Sequence, residues 1–542
     1  MNPATTAFDR ARPLHEDPRI HSRRWFLLAM MCLSLVLVVM SVSGLVTAIP
    51  TMQEALNASP SQIQWILDAY AIVFAGLLLS AGAIGDRFGR KRALLSGLVV
   101  FGLGSLYAGL ASSAGQVIAG RAVMGVGAAF VMPATLSIIA TIFPPEERGR
   151  AIAVWAGFAG AGGAIGPIVS GALLERFWWG SALLVNLPLV ALTFVALWVF
   201  APESRDEERT PLDPVGATLS LVGLSALVFA IIQGGEEGWF AAQVVVAGIL
   251  AVVTLAFFVQ WERRSAHPML PLAFFRDRRF TQGSVVVTVA FFVMFGFFFI
   301  ATQYLQFARG ESPLEAGLAL LPLPIAFVAL SPRSAVLAAR YGAARVMAVG
   351  LVIVAAGFVM LTFLSADTPY LFVAAALAVL GAGMGATAAP ATGEIMSAVP
   401  LSKAGVGSAV NDTTRELGGA LGIAILGSIA NSAYRAGISL SGIGLGAVAR
   451  HQGEDSIGAA ARVASTVPGG GVVHERAAAA FTNAFNLASA VSVGIVIVLA
   501  AVLLWSSARS RADETAAAGD VPVGELEPRF ALVPSGAGER PE

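Results

Sequence analysis

The sequence predicts an all-α polytopic membrane protein with fourteen transmembrane helices. Three observations predict it. Hydrophobic residues make up 56% of the chain and charged residues 13%, against roughly 45–50% and about 25% in soluble domains, and the mean hydropathy is +0.77. The apolar residues fall in runs of about 20, the length at which a helix crosses the hydrocarbon core. The basic residues concentrate in alternate connections between those runs, which is the positive-inside pattern.

Taken in order, the first run is Trp25–Ile49. It is too long for a signal-peptide core and lacks a small-x-small cleavage site, so it reads as an uncleaved first helix behind Arg23-Arg24. Helices 2 to 6 follow as Gln62–Ile84, Ala93–Ser112, Val117–Phe143, Ala151–Leu173 and Ser181–Phe200. Helices 7 and 8 are Val215–Gln233 and Ala241–Trp261. Helices 9 to 14 are Thr281–Leu305, Gly317–Leu337, Val346–Leu364, Tyr370–Ile395, Gly407–Ala430 and Phe481–Ser507. With the N-terminus inside, most of the 34 lysines and arginines fall in cytoplasmic segments, and no downstream inversion appears. Both termini are therefore expected in the cytoplasm. The outer segment Asn431–Ala480, rich in Gly, Ala and Ser, is expected as a short surface helix or a mobile loop. The polar tail after Ala508 has a disordered composition.

The same residues exclude several functions. The single Cys32 rules out an internal disulfide and a thiolate metal cluster. All five histidines lie outside the apolar runs, which argues against zinc chemistry and an intramembrane histidine relay. Charge is balanced, so nothing points to nucleic acid. The two lysines follow Arg90 and Ser402, so no Gly-Lys-Ser/Thr phosphate loop exists and no nucleotide is expected. Backbone-carbonyl filters and arginine-ladder voltage sensors are also missing. Abundant Gly and Pro inside the spans suit close helix packing in a transporter that rocks.

The turn after helix 2 reads Gly82-Ala-Ile-Gly85-Asp86-Arg87-Phe-Gly89-Arg90-Lys91-Arg92. Gly89 permits a tight turn, Asp86 is suited to pair with arginines or cap the next helix, and the basic cluster suits anionic headgroups. As a topology anchor this needs nothing more. Its spacing, however, resembles the signature turn of the major facilitator superfamily. A weaker echo, Leu337-Ala-Ala-Arg340-Tyr-Gly342-Ala-Ala-Arg345, follows helix 10, where a duplicated six-helix unit places it. Helix 4 carries Arg121-Ala-Val-Met-Gly125-Val-Gly127, similar to the family's Arg-x-x-Gln-Gly-x-Gly with Met124 for glutamine. Helix 5 carries Gly162-Gly-Ala-Ile-Gly166-Pro167-Ile-Val-Ser170-Gly171, which resembles its antiporter motif. Gln233 to Trp239, Gln303 to Pro313 and Gly405 to Gly419 look like the fourteen-helix drug:proton antiporter branch. The resemblance implies a major facilitator fold, two six-helix bundles plus two inserted helices, and proton-coupled drug export. It further implies that the glycine-faced helix 5 seals one half against the other. One departure stands out. Where that branch ends helix 1 with an aspartate and an asparagine, this chain has Ser41 and Val46. A hydroxyl does not carry a proton near neutral pH, so coupling must rest on acids elsewhere.

An ionised side chain in hydrocarbon costs at least ~2.5–3.5 kcal/mol. Six such groups fall within spans: Asp68, Arg121, Glu394, Asp412, Arg415 and Glu416. They must face a cavity or each other. Asp68 and Arg121 lie at similar depth from the outer ends of helices 2 and 4. Either they form a permanent buried ion pair, or Asp68 faces a central cavity as a proton and drug-cation site. Asp412 and Glu416 lie one turn apart on helix 13, with Arg415 beside them. They are either a neutralised cluster holding a gate shut or a second protonation or substrate site. Glu394, at the inner end of helix 12, suits a gate or headgroup contact. The phenylalanines of helix 9, Phe291 among them, suit either an aromatic drug pocket or plain packing.

The expected organisation is a cytoplasmic tail (1–24), an N-bundle of helices 1–6 (25–200), inserted helices 7–8 (201–265), a C-bundle of helices 9–14 (266–507) with the outer loop 431–480, and a disordered tail (508–542). The protein is expected to be a cell-membrane antiporter and not an enzyme, without metal or cofactor. Its partners are a small-molecule substrate, protons and the bilayer, and it is expected as a monomer. Asp68, Arg121, Asp412 and Glu416 are the coupling and substrate candidates. Gly82, Asp86, Arg87, Gly89, Arg90, Glu394 and Arg415 are the gating candidates, and Gly162, Gly166, Pro167 and Gly171 the antiporter-motif helix. Two rivals remain at this stage: a dedicated exporter of a self-made metabolite on the same fold, and a non-transporting sensor or scaffold.

Overall fold

The computed structural model describes residues 13–206, 211–365, 368–467 and 470–519. Among the described residues, fourteen helices are long and apolar enough to cross a membrane. Helices 1 to 6 are Pro18–Ile49, Ser61–Phe88, Arg90–Gly109, Ala114–Ile142, Pro145–Leu174 and Ser181–Phe200. Helices 7 and 8 are Pro214–Gly235 and Ala242–Arg264. Helices 9 to 14 are Arg278–Ala308, Leu314–Tyr341, Ala343–Leu361, Tyr370–Ser397, Leu401–Gly437 and Gly470–Ser506.

Local signals recur at corresponding places in the two sets of six. Helix 2 begins at a capping box, in which Ser59 Oγ accepts from Gln62 N and Gln62 Oε1 accepts from Ser59 N. Helix 10 begins the same way with Ser312 and Glu315, and in both cases a proline opens the helix. The turns that end these two helices each place a glycine at positive φ, Gly89 at 119° and Gly342 at 87°, a conformation that disfavours any residue with a Cβ. The echo seen in the sequence is therefore a structural repeat.

Two apolar cores form. One is built from helices 1–6, joined by Ala389, Met396 and Ala404 from beyond helix 11. The other is built from helices 9–14, joined by Leu79 of helix 2, Leu224 of helix 7 and Phe258 of helix 8. Helix 7 lies along helix 2, with Ser225 Oγ donating to the Ile72 carbonyl (3.2 Å) and the rings of Trp65 and Phe229 6.0 Å apart. Its far end meets helix 13, where Gly235 packs on Ala424. Asp213 caps helix 7 and accepts from Trp261 Nε1 (2.7 Å), which ties helix 8 to the start of helix 7. Trp198, Val246 and Val252 of helices 6 and 8 are more than 60% exposed, the surface a lipid-facing helix offers.

The connections add detail in three places. Of the two expectations for 431–480, a short surface helix or a mobile loop, the described residues show helices: helix 13 continues to Gly437, and short helices follow at Ala447–Asp455 and Ile457–Thr466. The segment holds because Ile457, Ala460 and Val463 are buried on one face, Tyr434 Oη donates to the Gly453 carbonyl (2.8 Å) and Arg435 pairs with Asp455 (2.7 Å). At the C-terminal end the helix runs to Gly519, past the expected start of a disordered tail at 508; residues 520–542 lie outside the described residues. At the N-terminal end the helix already starts at Pro18, because the Asp17 carboxylate caps it by accepting from Arg19 N. Residues 1–12 lie outside the described residues.

Helices 9 and 13 approach so closely at Gly422 that a Cβ there would strike the Phe292 carbonyl, whereas a Cβ at Gly248 on helix 8 meets nothing within 4 Å. Backbone cannot yield as a side chain does. Gly422→Ala is therefore expected to cost about 1–3 kcal/mol and to lower the melting temperature in detergent, with Gly248→Ala near neutral. Equal melting temperatures for the two would contradict this packing.

Candidate functional site

The two halves meet along a seam, and the buried charges of the membrane region collect near it. At one face of the bundle, here called the basic face because the Arg87–Arg92 turn lies on it, the seam is closed by Asp86. This carboxylate is 2% exposed. Its Oδ1 accepts from Arg90 Nε (2.8 Å) and Nη2 (2.7 Å), and also from Gly405 N (2.8 Å); its Oδ2 accepts from Val406 N (3.0 Å). Gly405 and Val406 open the helical part of helix 13 at Ala404, so Asp86 occupies the positive end of that helix dipole and satisfies its orphan N–H groups. Of the two roles the sequence offered Asp86, the arginine pair is formed with Arg90, and the helix capped is the thirteenth, in the other half, rather than the next one. Arg90 was expected against headgroups. It is 2% exposed, and its Nη2 donates to the carbonyls of Leu401 (2.6 Å) and Ser402 (3.2 Å).

Small residues permit this approach. A Cβ at Gly82 would press on the Gly405 carbonyl and on Ala409, and one at Gly405 on the Asp86 carboxylate. The stretch after helix 6 braces the turn from outside: the Ser204 carbonyl accepts from Arg90 N (2.9 Å), Asp206 N donates to the Asp86 carbonyl (2.6 Å), and Asp206 pairs with Lys403 at 3.5 Å. Arg87 lies over Phe88, 5.4 Å from the ring centroid, and lines, with Asp86, Asp206 and Lys403, a cavity of about 330 Å³ beside the gate. Asp206 and Lys403 escaped the sequence reading, because neither lies in an apolar run nor in a recognised motif.

Deeper in the seam lies the helix 13 cluster. Arg415 Nη1 is 3.6 Å from Asp412 Oδ1. The guanidinium lies between two rings, 4.6 Å from the centroid of Phe291 on helix 9 and 5.6 Å from that of Trp155 on helix 5. Trp155 and Phe291 come from opposite halves, so this cation touches both. Asn411 Nδ2 donates to Asp412 Oδ1 (3.2 Å), and Asn411 Oδ1 accepts from Thr392 Oγ1 (3.0 Å). Asp412 is fully buried, whereas Glu416 is half-buried. Glu416 and Arg121 both lie within electrostatic reach of Tyr70 on helix 2, which links the cluster to the other half. The three charges expected together on helix 13 are together. Trp155 was not anticipated: a lone tryptophan in an apolar run carries no signal for a cation partner.

Asp68 and Arg121 are placed differently. Arg121 is fully buried. Its Nε donates to the Ile66 carbonyl (3.1 Å) and its guanidinium lies 4.3 Å over the Tyr70 ring. Its two terminal nitrogens have no hydrogen-bond partner among the described residues, and no ion pair of Arg121 occurs among them. Asp68, between Ile66 and Tyr70, projects from the opposite side of helix 2. It shares its face with Trp65, Ile72 and Gly76, whose neighbours are Phe229, Ser225 and Leu221 of inserted helix 7. Equal depth was legible; helical phase separates the two. Glu394 is half-buried near Arg279 at the start of helix 9 and joins neither gate nor cluster.

The helix 5 motif divides its labour. Gly162 and Gly166 pack on helix 1 within the same half, at Val39, Ser43 and Gly44. Pro167 and Gly171 face helix 10 across the seam, near Gly317 and Leu314. Gly157 on Val328 and Gly160 on Phe327 are further close approaches of helix 5 to helix 10 across the seam. The motif therefore combines close packing and cross-seam contact: its first two glycines hold helix 1, and Pro167 and Gly171 face the other half. Among the described residues, no group of three or more His, Cys, Asp or Glu side chains is placed to hold a metal ion.

A two-half helical bundle with a signature turn latched across its seam narrows the choice of family. A model described as Major Facilitator Superfamily matches residues 31–423. The chain belongs to the Major Facilitator Superfamily. It is 35% identical over 488 residues to the multidrug efflux pump LfrA of Mycolicibacterium smegmatis, covering 90% of this chain and 96% of that one. It is 32% identical to the methyl viologen resistance protein SmvA of Salmonella typhimurium, covering 90% and 98%. The human organic anion transporter MFSD10 shares the fold, with a TM-score of 0.57 at 14% identity over 89% of this chain and 100% of that one. The protein is therefore a multi-pass membrane protein of a transporter family.

Removing one partner of a buried charge pair costs about 3–5 kcal/mol. Asp86→Asn is expected to weaken the closed state of the basic face. A cysteine introduced at Ala409, beneath the gate in a Cys32→Ser background, should react with an impermeant maleimide at least ~10-fold faster than with Asp86 intact. Equal rates would show that Asp86 does not hold this face shut.

Proposed function

We propose that the protein is a proton-coupled exporter of amphipathic small molecules, cationic or neutral, which works by alternating access. The observation that carries this reading is the helix 13 cluster: ionisable groups held in the seam, where only a water-accessible path between the halves gives an acid a task. The basic face is the cytoplasmic one, so the gate described above closes the path to the cytoplasm. The bundles 25–200 and 266–507 rock about the seam while the inserted pair 201–265 rides with helices 2 and 13. The protein works as a monomer in the cell membrane, with substrate, protons and lipid as its partners.

Proton coupling falls to Glu416 and Asp412. Glu416 is half-buried and within reach of both water and Arg415. Protonation of either acid removes the counter-charge of Arg415, which loosens the contact between Trp155 and helix 13 and favours opening of the basic face. Asp68, which faces helix 7, modulates this exchange rather than carrying it, and Ser41 takes no proton. The efflux roles named for LfrA and SmvA support the direction of transport. A sensor or scaffold would have no use for a gate that latches one half to the other.

The test is uptake of a cationic dye into inside-out vesicles energised by an acid interior. Glu416→Gln is expected to abolish the proton-driven part of uptake while dye binding persists. Asp68→Asn should slow uptake that a protonophore still collapses. Wild-type pH dependence in Glu416→Gln and Asp412→Asn alike would overturn the assignment.

A further inference from the structure

Arg415 sits where an organic cation belongs. Two aromatic faces, a buried carboxylate and a second, half-buried acid are the parts from which cation-binding sites are made. Here Phe291, Trp155, Asp412 and Glu416 supply all of them, and the guanidinium of the chain's own arginine fills the space between. The contact is loose for a structural pair. At 3.6 Å the Arg415–Asp412 distance exceeds the roughly 2.7–2.9 Å of a charge-assisted hydrogen bond. Asp412 Oδ2 and Arg415 Nε have no hydrogen-bond partner among the described residues, although both residues are more than nine-tenths buried. The walls, in contrast, are fixed. Trp155 Nε1 donates to Thr135 Oγ1 (3.1 Å), and Asn411, itself held by Thr392, donates to Asp412. A rigid receptor thus surrounds a long, rotamer-rich occupant.

We propose that Arg415 is a tethered competitor for the cationic substrate: a lipophilic cation displaces its guanidinium from Trp155, Phe291, Asp412 and Glu416, and its return expels that cation. This deepens the exporter reading and rests on it for the substrate class. The structure is closed at the basic face with Arg415 seated, and closure of that face is the condition under which an exporter lets its cargo go on the other side. The guanidinium supplies, at the effective concentration of a tethered group, the charge that the departing cation leaves uncompensated. Neutral substrates do not contest the carboxylates and are indifferent to it.

The test is equilibrium binding of tetraphenylphosphonium to the purified full-length protein, with chloramphenicol as a neutral probe. Arg415→Gln is expected to bind tetraphenylphosphonium about tenfold more tightly than wild type, with chloramphenicol affinity unchanged. Trp155→Leu added to Arg415→Gln should take that gain away. Arg415→Lys, which keeps the charge but loses the planar stacking, should fall between, and it carries the test should the glutamine variant not fold. Unchanged or weaker tetraphenylphosphonium binding in the folded variants overturns the proposal. Vesicles of wild type that move neither probe would instead sink the exporter reading. Transport of both probes with no effect of Arg415 on binding would sink this inference alone.

Discussion

Hydrocarbon does not hold a bare charge, and that constraint organises the seam of this molecule. Asp86 and Arg90 at the basic face, and Asp412 and Arg415 deeper in, are buried, and each set draws part of its compensation from the opposite half. Asp86 depends on the first N–H groups of helix 13, Arg90 on the carbonyls of Leu401 and Ser402, and Arg415 on the ring of Trp155. Separation of the halves strips each group of a partner. A closed seam is then a low-energy state, and opening requires something else to supply the missing charge. In the proposed mechanism a proton or a cationic ligand does so.

The two sites differ in how tightly they are satisfied, and that difference assigns their tasks. At the gate, Asp86 receives four hydrogen bonds between 2.7 and 3.0 Å, and Gly82 and Gly405 let the backbones touch. Such a site is a latch. In the helix 13 cluster the ion pair is long, and a donor and an acceptor stay unmatched. Such a site is easily exchanged. Both involve helix 13, so a change at Asp412 or Glu416 reaches the latch through a rigid rod whose first turn is the one Asp86 caps.

Much of this was legible in sequence, and what was hidden was hidden for physical reasons. Fourteen spans could be counted because lipid imposes length and composition on every helix separately. The signature turn and its echo could be read because Gly89 and Gly342 answer to a local backbone demand. The acids of helix 13 could be grouped because one turn is a local relation. Partners across the seam could not be read, since nothing local marks Trp155, Lys403 or Asp206. Arg121 and Asp68 show the limit well: their matching depth suggested a pair, but Asp68 sits on the far face of helix 2 from Ile66 and Tyr70, which Arg121 touches. The small residues of the outer segment left a short surface helix and a mobile loop both open, and Ile457, Ala460 and Val463 at helical spacing decide for helix by packing onto helix 14 and the end of helix 9.

In the proposed mechanism, neutralising the helix 13 acids releases the latch at Asp86. Electron–electron distance measurements between spin labels at the exposed positions Phe88 and Ser397, on the basic-face ends of helices 2 and 12, read that link directly. A single short distance is predicted at alkaline pH, with a longer population growing on acidification and already dominant in Asp412→Asn, Glu416→Gln. One unchanging distance across pH and in the doubly neutralised variant would contradict it.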